Sequence, residues 1–294
     1  MEMNVVFRVD SSTKLGAGHL MRCLTLSNEL QKQNHKITFI CKKLNGNLIK
    51  LIKHKTLVMP MQKDFQTDNL SLGWMDATQN QDAKQTIKAI PKNTDYLIVD
   101  SYSLDEKWHR QLRPYTRKIM VIDDLADKQF DCDILLNQNL GSKQEDYQNK
   151  VPYGCELLLG CDYALLRPEF ESLREKAIEK RKNTKEIKNI LISMGGIDNR
   201  NIAYNVLQQL NDEFNIVVVL GSSSEYDKII MDYAKEKNIE VIIVDNESID
   251  STADIALNFI NDNNEELIIS YLRIKHVPLT SSRNTAISFC RGSY

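Results

Sequence analysis

Short apolar runs, each closed by a polar or glycine-bearing turn, alternate with segments whose apolar positions repeat at helical spacing, from the start of the chain to about Val244. Asn4 to Val9 is apolar and β-branched enough for a buried strand, and Leu20, Cys23, Leu24, Ser27 and Leu30 then recur at helix period. Lys36 to Cys41 predicts a second strand, Gly46 to Ile52 a short helix, and Leu57 to Met59 a third strand. Gln62 to Asp82 is polar and weakly periodic, which predicts a surface loop before a helix from Ala83 to Ile90 that stops near Pro91. Asp95 to Asp100, Lys118 to Ile122 and Asp133 to Asn137 repeat the strand pattern. Alternation of this kind argues for an α/β protein with a parallel sheet.

A second series follows. Arg167-Pro168-Glu169-Phe170 opens a charged helix that runs into Glu179 to Lys185, a solvated crossing segment. Lys188 to Met194 then leads as a strand into Gly195-Gly196, with a helix near Asn201 to Leu210, a strand from Phe214 to Leu220, a helix over Ser224 to Glu236 and a strand from Ile239 to Val244. The chain therefore divides into two expected Rossmann-like lobes, 1–182 and 183–294. Past Asp245 the pattern no longer supplies a clear strand or a second glycine-serine loop, so the second lobe is expected to be incomplete or truncated.

Composition narrows the function classes. Of 294 residues, 42% are hydrophobic and 27% charged, with a net charge of −2, which gives no electrostatic reason to expect nucleic acid. The basic residues near Lys180 are balanced by Glu171, Glu175 and Glu179 and carry no interleaved aromatics. No apolar run approaches the roughly 20 residues of a membrane helix, and no secretory signal opens the chain, so a cytoplasmic protein is expected. Cys23, Cys41, Cys132, Cys155, Cys161 and Cys290 form no C-x-x-C pair and mostly adjoin apolar residues, which reads as reduced core thiols rather than metal ligands.

The chemistry concentrates after the first strand, in Asp10-Ser11-Ser12-Thr13-Lys14-Leu15-Gly16-Ala17-Gly18-His19. Gly16 and Gly18 permit positive φ and close approach of the backbone to a ligand, and the helix that follows offers free amides to a phosphate. His19 falls in its first turn, where an imidazole can exchange a proton near neutral pH. Local pattern alone leaves a histidine packed beside a tight turn equally open. Tyr102, two residues past the strand ending at Asp100, is a second candidate, either for a ligand oxygen or for closing the strand end. Asp123 and Asp124 end the next strand and point to opposite faces, which favours loop anchoring over a facing carboxylate pair.

Seven segments, in order, carry a resemblance: Arg8 to Ser12, Leu15 to Leu26, Val99 to Tyr102, Ile122 to Asp124, Asp133 to Asn139, Leu159 to Phe170 and Ile192 to Asp198. In these the chain resembles the hydrolases of pseudaminic acid biosynthesis that remove UDP from UDP-2,4-diacetamido-2,4,6-trideoxy-β-L-altropyranose. The resemblance fades after about Val244. It implies a GT-B-like pair of lobes, a UDP-sugar as partner, and inverting attack of water at the anomeric carbon with His19 as base. It also implies Asp10, Gly16, Gly18, Arg22, Tyr102, Asn139, Gly195, Gly196 and Asp198 as substrate contacts. No cofactor or metal is expected, nor any nucleic-acid or membrane partner, and the chain is expected to be a monomer. A GT-B glycosyltransferase with a UDP-sugar donor is the alternative enzyme, and a sugar-nucleotide binder without turnover the alternative outside catalysis.

Overall fold

The computed structural model describes residues 2–12, 14–61, 77–186, 188–194, 198, 200–210, 213–220, 227–237, 240–245 and 269–273. Two compact units divide at Leu173 and Arg174.

In the first unit, β1 (Asn4–Val9), α1 (Gly18–Lys32), β2 (Lys36–Lys42), β3 (Lys55–Met59), α2 (Gln79–Ala89), β4 (Thr94–Asp100), α3 (Glu106–Leu112), β5 (Thr116–Ile122), β6 (Ile134–Asn137) and β7 (Glu156–Leu159) follow in order. The strands form a 7-stranded parallel sheet in the order β3-β2-β1-β4-β5-β6-β7. Chain direction across the sheet reverses between β1 and β4, the switch point at which α/β sheets open a crevice beyond their carboxyl ends.

Period-two alternation along β1 sends its residues into two cores. Val5, Phe7 and Val9 pack with Leu20, Cys23 and Leu24 of α1, and Phe7 stacks on Phe39 of β2 at 4.9 Å. Val6 joins the opposite core with Ala83 of α2 and Trp108 and Leu112 of α3. The sheet is thus covered on both faces, which is why its strands read as nearly continuous apolar runs.

Several expectations change. The helix expected to begin at Ala83 starts at Gln79, because Thr78 and Gln81 close a capping box: Gln81 N donates to Thr78 Oγ1 and Thr78 N to Gln81 Oε1. Asp82, expected on a polar surface loop, is fully buried within that helix. Residues 62–76 of the same loop lie outside the described residues. Near Gly46 to Ile52 only one 3-10 turn forms, Ile49–Leu51. The edge strand β7 is an element the apolar pattern did not single out. Among the cysteines, Cys23, Cys41 and Cys132 are buried as expected, whereas Cys161 is exposed; Cys290 lies outside the described residues.

α4 (Pro168–Asn183) spans the division between the units and buries no side chain, as its charge pattern predicts. In the second unit, β8 (Asn189–Ser193), α5 (Ile202–Leu207), β9 (Asn215–Leu220), α6 (Asp227–Lys237), β10 (Glu240–Asp245) and β11 (Ile269–Arg273) follow, and the strands pair in parallel in the order β11-β10-β9-β8. Ile192, Ile216, Val218 and Leu220 pack with Ala203 and Leu207 of α5 and Ile230 and Ala234 of α6. β11 corrects the reading past Asp245, since a strand does form there and extends the sheet beside β10.

Candidate functional site

The first loop is held by its own serines. Ser12 Oγ accepts from Lys14 N and Leu15 N, Gly16 N donates to Ser12 O at 2.8 Å, and Ser11 Oγ accepts from Leu48 N. Gly16 completes the turn at φ +74°, a conformation that favours glycine. The helix α1 then begins without a side-chain cap.

Spacing on α1 puts His19, Arg22 and Cys23 on one face, and that face meets the end of β4. Register pairs Val9 with Asp100, so the last residue of β4 lies beside the last residue of β1. Asp100, 1% exposed, accepts from all three helix side chains. Its Oδ1 lies 2.5 Å from His19 Nδ1 and takes Arg22 Nη2 at 2.7 Å, while its Oδ2 takes Arg22 Nε at 2.5 Å and Cys23 Sγ at 3.6 Å. Burial pushes the Asp100 carboxyl up, but the Arg22 and His19 contacts outweigh it and hold the group below the ordinary carboxylate range. Burial likewise opposes the Arg22 charge, and the hydrogen bonds and charges of Asp100 and Asp124 more than restore it.

A second carboxylate extends the cluster. Arg22 Nη1 donates to Asp124 Oδ2 at 3.1 Å, and Tyr102 Oη donates to Asp124 Oδ1 at 2.7 Å. Burial, with this acceptor, pushes the Tyr102 phenol up, so it stays protonated. The Tyr102 ring stands edge-on to His19, centroids 4.5 Å apart at 80°. Asp123 turns the other way: its Oδ2 accepts from Ala126 N at 2.8 Å and Tyr147 Oη at 3.0 Å, the loop anchor expected of it. Asp124 departs from that expectation and belongs with His19, Arg22, Tyr102 and Asp100.

Of the sequence-predicted site residues, His19, Arg22 and Tyr102 come together beside Gly16 and Gly18. Arg22, expected as a substrate contact, is engaged along its guanidinium edge by the carboxylates of Asp100 and Asp124. Asp10, also expected as a substrate contact, is 5% exposed, and its Oδ1 accepts from Lys42 N at 2.7 Å and lies 2.7 Å from Arg8 Nη1. Gly18 lacks the expected positive φ and is the first residue of α1. Asn139 is exposed, and its backbone N donates to Asn137 Oδ1 in the turn after β6. In the second unit Asp198 caps α5, accepting from Ile202 N at 2.9 Å and Ala203 N at 2.8 Å. Gly195 and Gly196 lie outside the described residues. Asp100 and Asp124 are the site residues sequence reasoning did not select. Their signal was position alone, since each stands at the carboxyl end of an apolar strand where a polar residue is not needed for packing.

A cavity of about 490 Å³ opens at the other end of the sheet, at the starts of β1, β2 and β3, and contains none of these residues. Among the described residues no group of His, Cys, Asp and Glu side chains is arranged to hold a metal ion, and no helix is long and apolar enough to cross a membrane.

Comparison with known proteins adds four matches. The family model described as glycosyl transferase family 2 matches residues 226–294, most of which lie outside the described residues. Over 290 residues the chain is 28% identical to the UDP-2,4-diacetamido-2,4,6-trideoxy-beta-L-altropyranose hydrolase of Campylobacter jejuni, covering 98% of this chain and 93% of that protein. That alignment continues beyond Val244, where the ordered motifs fade. Over 253 residues it is 30% identical to an uncharacterized protein of Methanocaldococcus jannaschii, covering 81% of this chain and 48% of that protein. Over 237 residues it is 24% identical to the spore coat polysaccharide biosynthesis protein SpsG of Bacillus subtilis, covering 78% of this chain and 62% of that protein.

Proposed function

We propose that this chain, a distant homologue of the UDP-2,4-diacetamido-2,4,6-trideoxy-beta-L-altropyranose hydrolase, acts on a UDP-sugar and hydrolyses that same substrate. The observation that carries the reading is the placement of His19 on a buried carboxylate, next to a glycine turn and an uncapped helix start, at the switch point of a parallel sheet. Water attacks the anomeric carbon and gives a proton to His19, while the bond from that carbon to the diphosphate oxygen breaks. UDP leaves with the bonding electron pair, and the free sugar forms with inverted configuration. First-turn amides of α1 suit the diphosphate, since helix starts favour anions. The GT-B-like pairing of two lobes, 1–182 and 183–294, belongs to the same proposal and is supported by the two parallel sheets.

Incubating the protein with that UDP-sugar alone, following UDP by chromatography and the new anomer by NMR, tests the reading. His19→Asn is expected to lower turnover by ~100-fold to 10,000-fold, the usual contribution of a general base, and to leave substrate affinity within a few fold. Turnover of His19→Asn at the parent rate defeats the assignment.

A second reading, a glycosyltransferase with a UDP-sugar donor, is favoured by the match of residues 226–294. It requires an acceptor hydroxyl in place of water. UDP release that depends on an added sugar acceptor would replace the hydrolase reading with this one, and UDP binding without turnover under either condition would leave a binder.

A further inference from the structure

We infer that Asp100 is the positioning residue that decides which nitrogen of His19 is free to take a proton, an inference that rests on the general-base reading of His19. A neutral imidazole has one N–H and one lone pair, and the partner of one nitrogen fixes the other. Asp100 is held ionised, forked by Arg22 through Nε to Oδ2 at 2.5 Å and Nη2 to Oδ1 at 2.7 Å. A carboxylate in that state only accepts. The proton in the 2.5 Å contact with His19 therefore sits on Nδ1, and Nε2 carries the lone pair.

Arg22 Nη2 also lies 3.2 Å from His19 Nδ1. Both are donors drawn to the same Oδ1, and the shorter contacts to that oxygen define the bonding. Arg22 thereby has a second consequence. Because it keeps Asp100 anionic, a proton taken at Nε2 leaves an imidazolium facing a fixed negative charge, with no transfer onward to the carboxylate. Tyr102, edge-on at 4.5 Å, closes one side of the ring and restrains the flip that would exchange the two nitrogens.

The rival account makes Asp100 merely a tie between β4 and α1, through Arg22 and Cys23, with no effect on the imidazole. Nitrogen-15 NMR of histidine-labelled full-length protein separates the two. The His19 resonances are identified as those lost in His19→Asn, among the 5 histidines of the chain. The parent is expected to show a protonated Nδ1 and an unprotonated Nε2. An Nε2–H tautomer in the parent overturns the inference without any variant having to fold.

In Asp100→Asn the side-chain amide can offer an N–H to Nδ1, so the tautomer is expected to reverse or average. Turnover should fall at least ~100-fold, as for loss of a general base, with KM within about threefold, and Asp100→Glu should recover part of it. An unchanged tautomer in Asp100→Asn, or full turnover, overturns the inference. The two readings fail separately. If His19→Asn keeps full turnover, the general-base reading falls. If His19→Asn abolishes turnover while Asp100→Asn retains it, only the positioning role falls. Should the parent show no turnover, the tautomer spectra decide the positioning role by themselves.

Discussion

Arg8 of β1 and Asp82 of α2 meet at 2.6 Å, Nη2 to Oδ2, with both side chains completely buried. Asp82 also takes Arg8 Nε at 3.2 Å, Trp108 Nε1 at 3.0 Å and Lys42 Nζ at 3.1 Å, so one carboxylate joins β1, β2, α2 and α3. Burial pushes the Asp82 carboxyl up, but the charges and hydrogen bonds of Arg8 and Lys42 hold it below the ordinary range. Removing one partner of a buried ion pair typically costs ~3–5 kcal/mol, because the other charge stays buried and unpaired. Asp82→Ala is therefore expected to destabilise the first unit by about that amount in urea denaturation followed by circular dichroism. A loss below about 1 kcal/mol, the worth of an exposed pair, would show that Arg8 and Lys42 do not depend on it.

His109 contributes a pH dependence to stability. It is fully buried on α3, with Trp108 and Phe130 rings 5.7 and 6.1 Å away, and neither ring nitrogen has a hydrogen-bond partner among the described residues. Burial pushes its pKa down to about 3. An unfolded histidine takes its proton near pH ~6.5, so below that value the unfolded chain binds a proton the folded chain refuses. The contribution is thus fully present above pH ~6.5 and declines by up to ~1.4 kcal/mol per pH unit until the folded group titrates. Asp82 and Asp100, both held low, add their losses only below pH ~4. His109→Phe is expected to flatten stability between pH 6.5 and 4 by roughly these amounts and to leave it equal or higher at pH 7. An unchanged slope in guanidinium titrations would rule His109 out as its source.

Thiol chemistry should sort the cysteines by burial. Cys23 and Cys41 are buried, and burial pushes the Cys41 thiol up to about 12, leaving on the order of 1 part in 10,000 as thiolate at pH 8. Cys161 is exposed just past β7. Iodoacetamide at pH 8, with labelled peptides read by mass spectrometry, is expected to modify Cys161 at least ~100-fold faster than Cys23 or Cys41 in the native protein. Comparable rates would mean that the α1 face opens readily.

The order of strands from β1 to β6 was legible because the sheet is covered on both faces and its strands read as apolar runs, whereas the helix α3 between β4 and β5 was not read. The residues nearest the first loop, His19 and Gly16, were legible for the same reason, since a strand, a glycine turn and a helix in succession define where a ligand can approach. What the pattern could not show was pairing at a distance. Asp100 lies 81 positions from His19, and Asp82 lies 74 from Arg8, so nothing in the local periodicity distinguishes a carboxylate that organises a site from one that faces water. Asp82 was misplaced because Gln79, Asn80 and Gln81 surround it with polarity, although Thr78 and Gln81 spelled the helix start. Short strands are the least legible: β7 is an edge strand, and β11 follows a polar stretch of sequence.

Gly16 and Gly18 offer a last contrast, because the two glycines serve different ends. Gly16 sits at φ +74°, whereas Gly18 is the first residue of a helix, and a Cβ on either meets nothing within 4 Å. A left-handed conformation costs an L-residue ~1–2 kcal/mol, so Gly16→Ala should lose about that much stability through backbone strain alone. At Gly18, alanine is the better helix former by ~0.5–1 kcal/mol, and Gly18→Ala should be as stable as the parent or more so. Stability therefore gives no reason for glycine at position 18, whereas the proposed function supplies one, close approach of a diphosphate to the helix start. Calorimetric titration with UDP is expected to show at least tenfold weaker binding for Gly18→Ala at an unchanged or raised melting temperature. Parent-like affinity in that variant would remove Gly18 from the binding surface and leave the anion to be held by other groups.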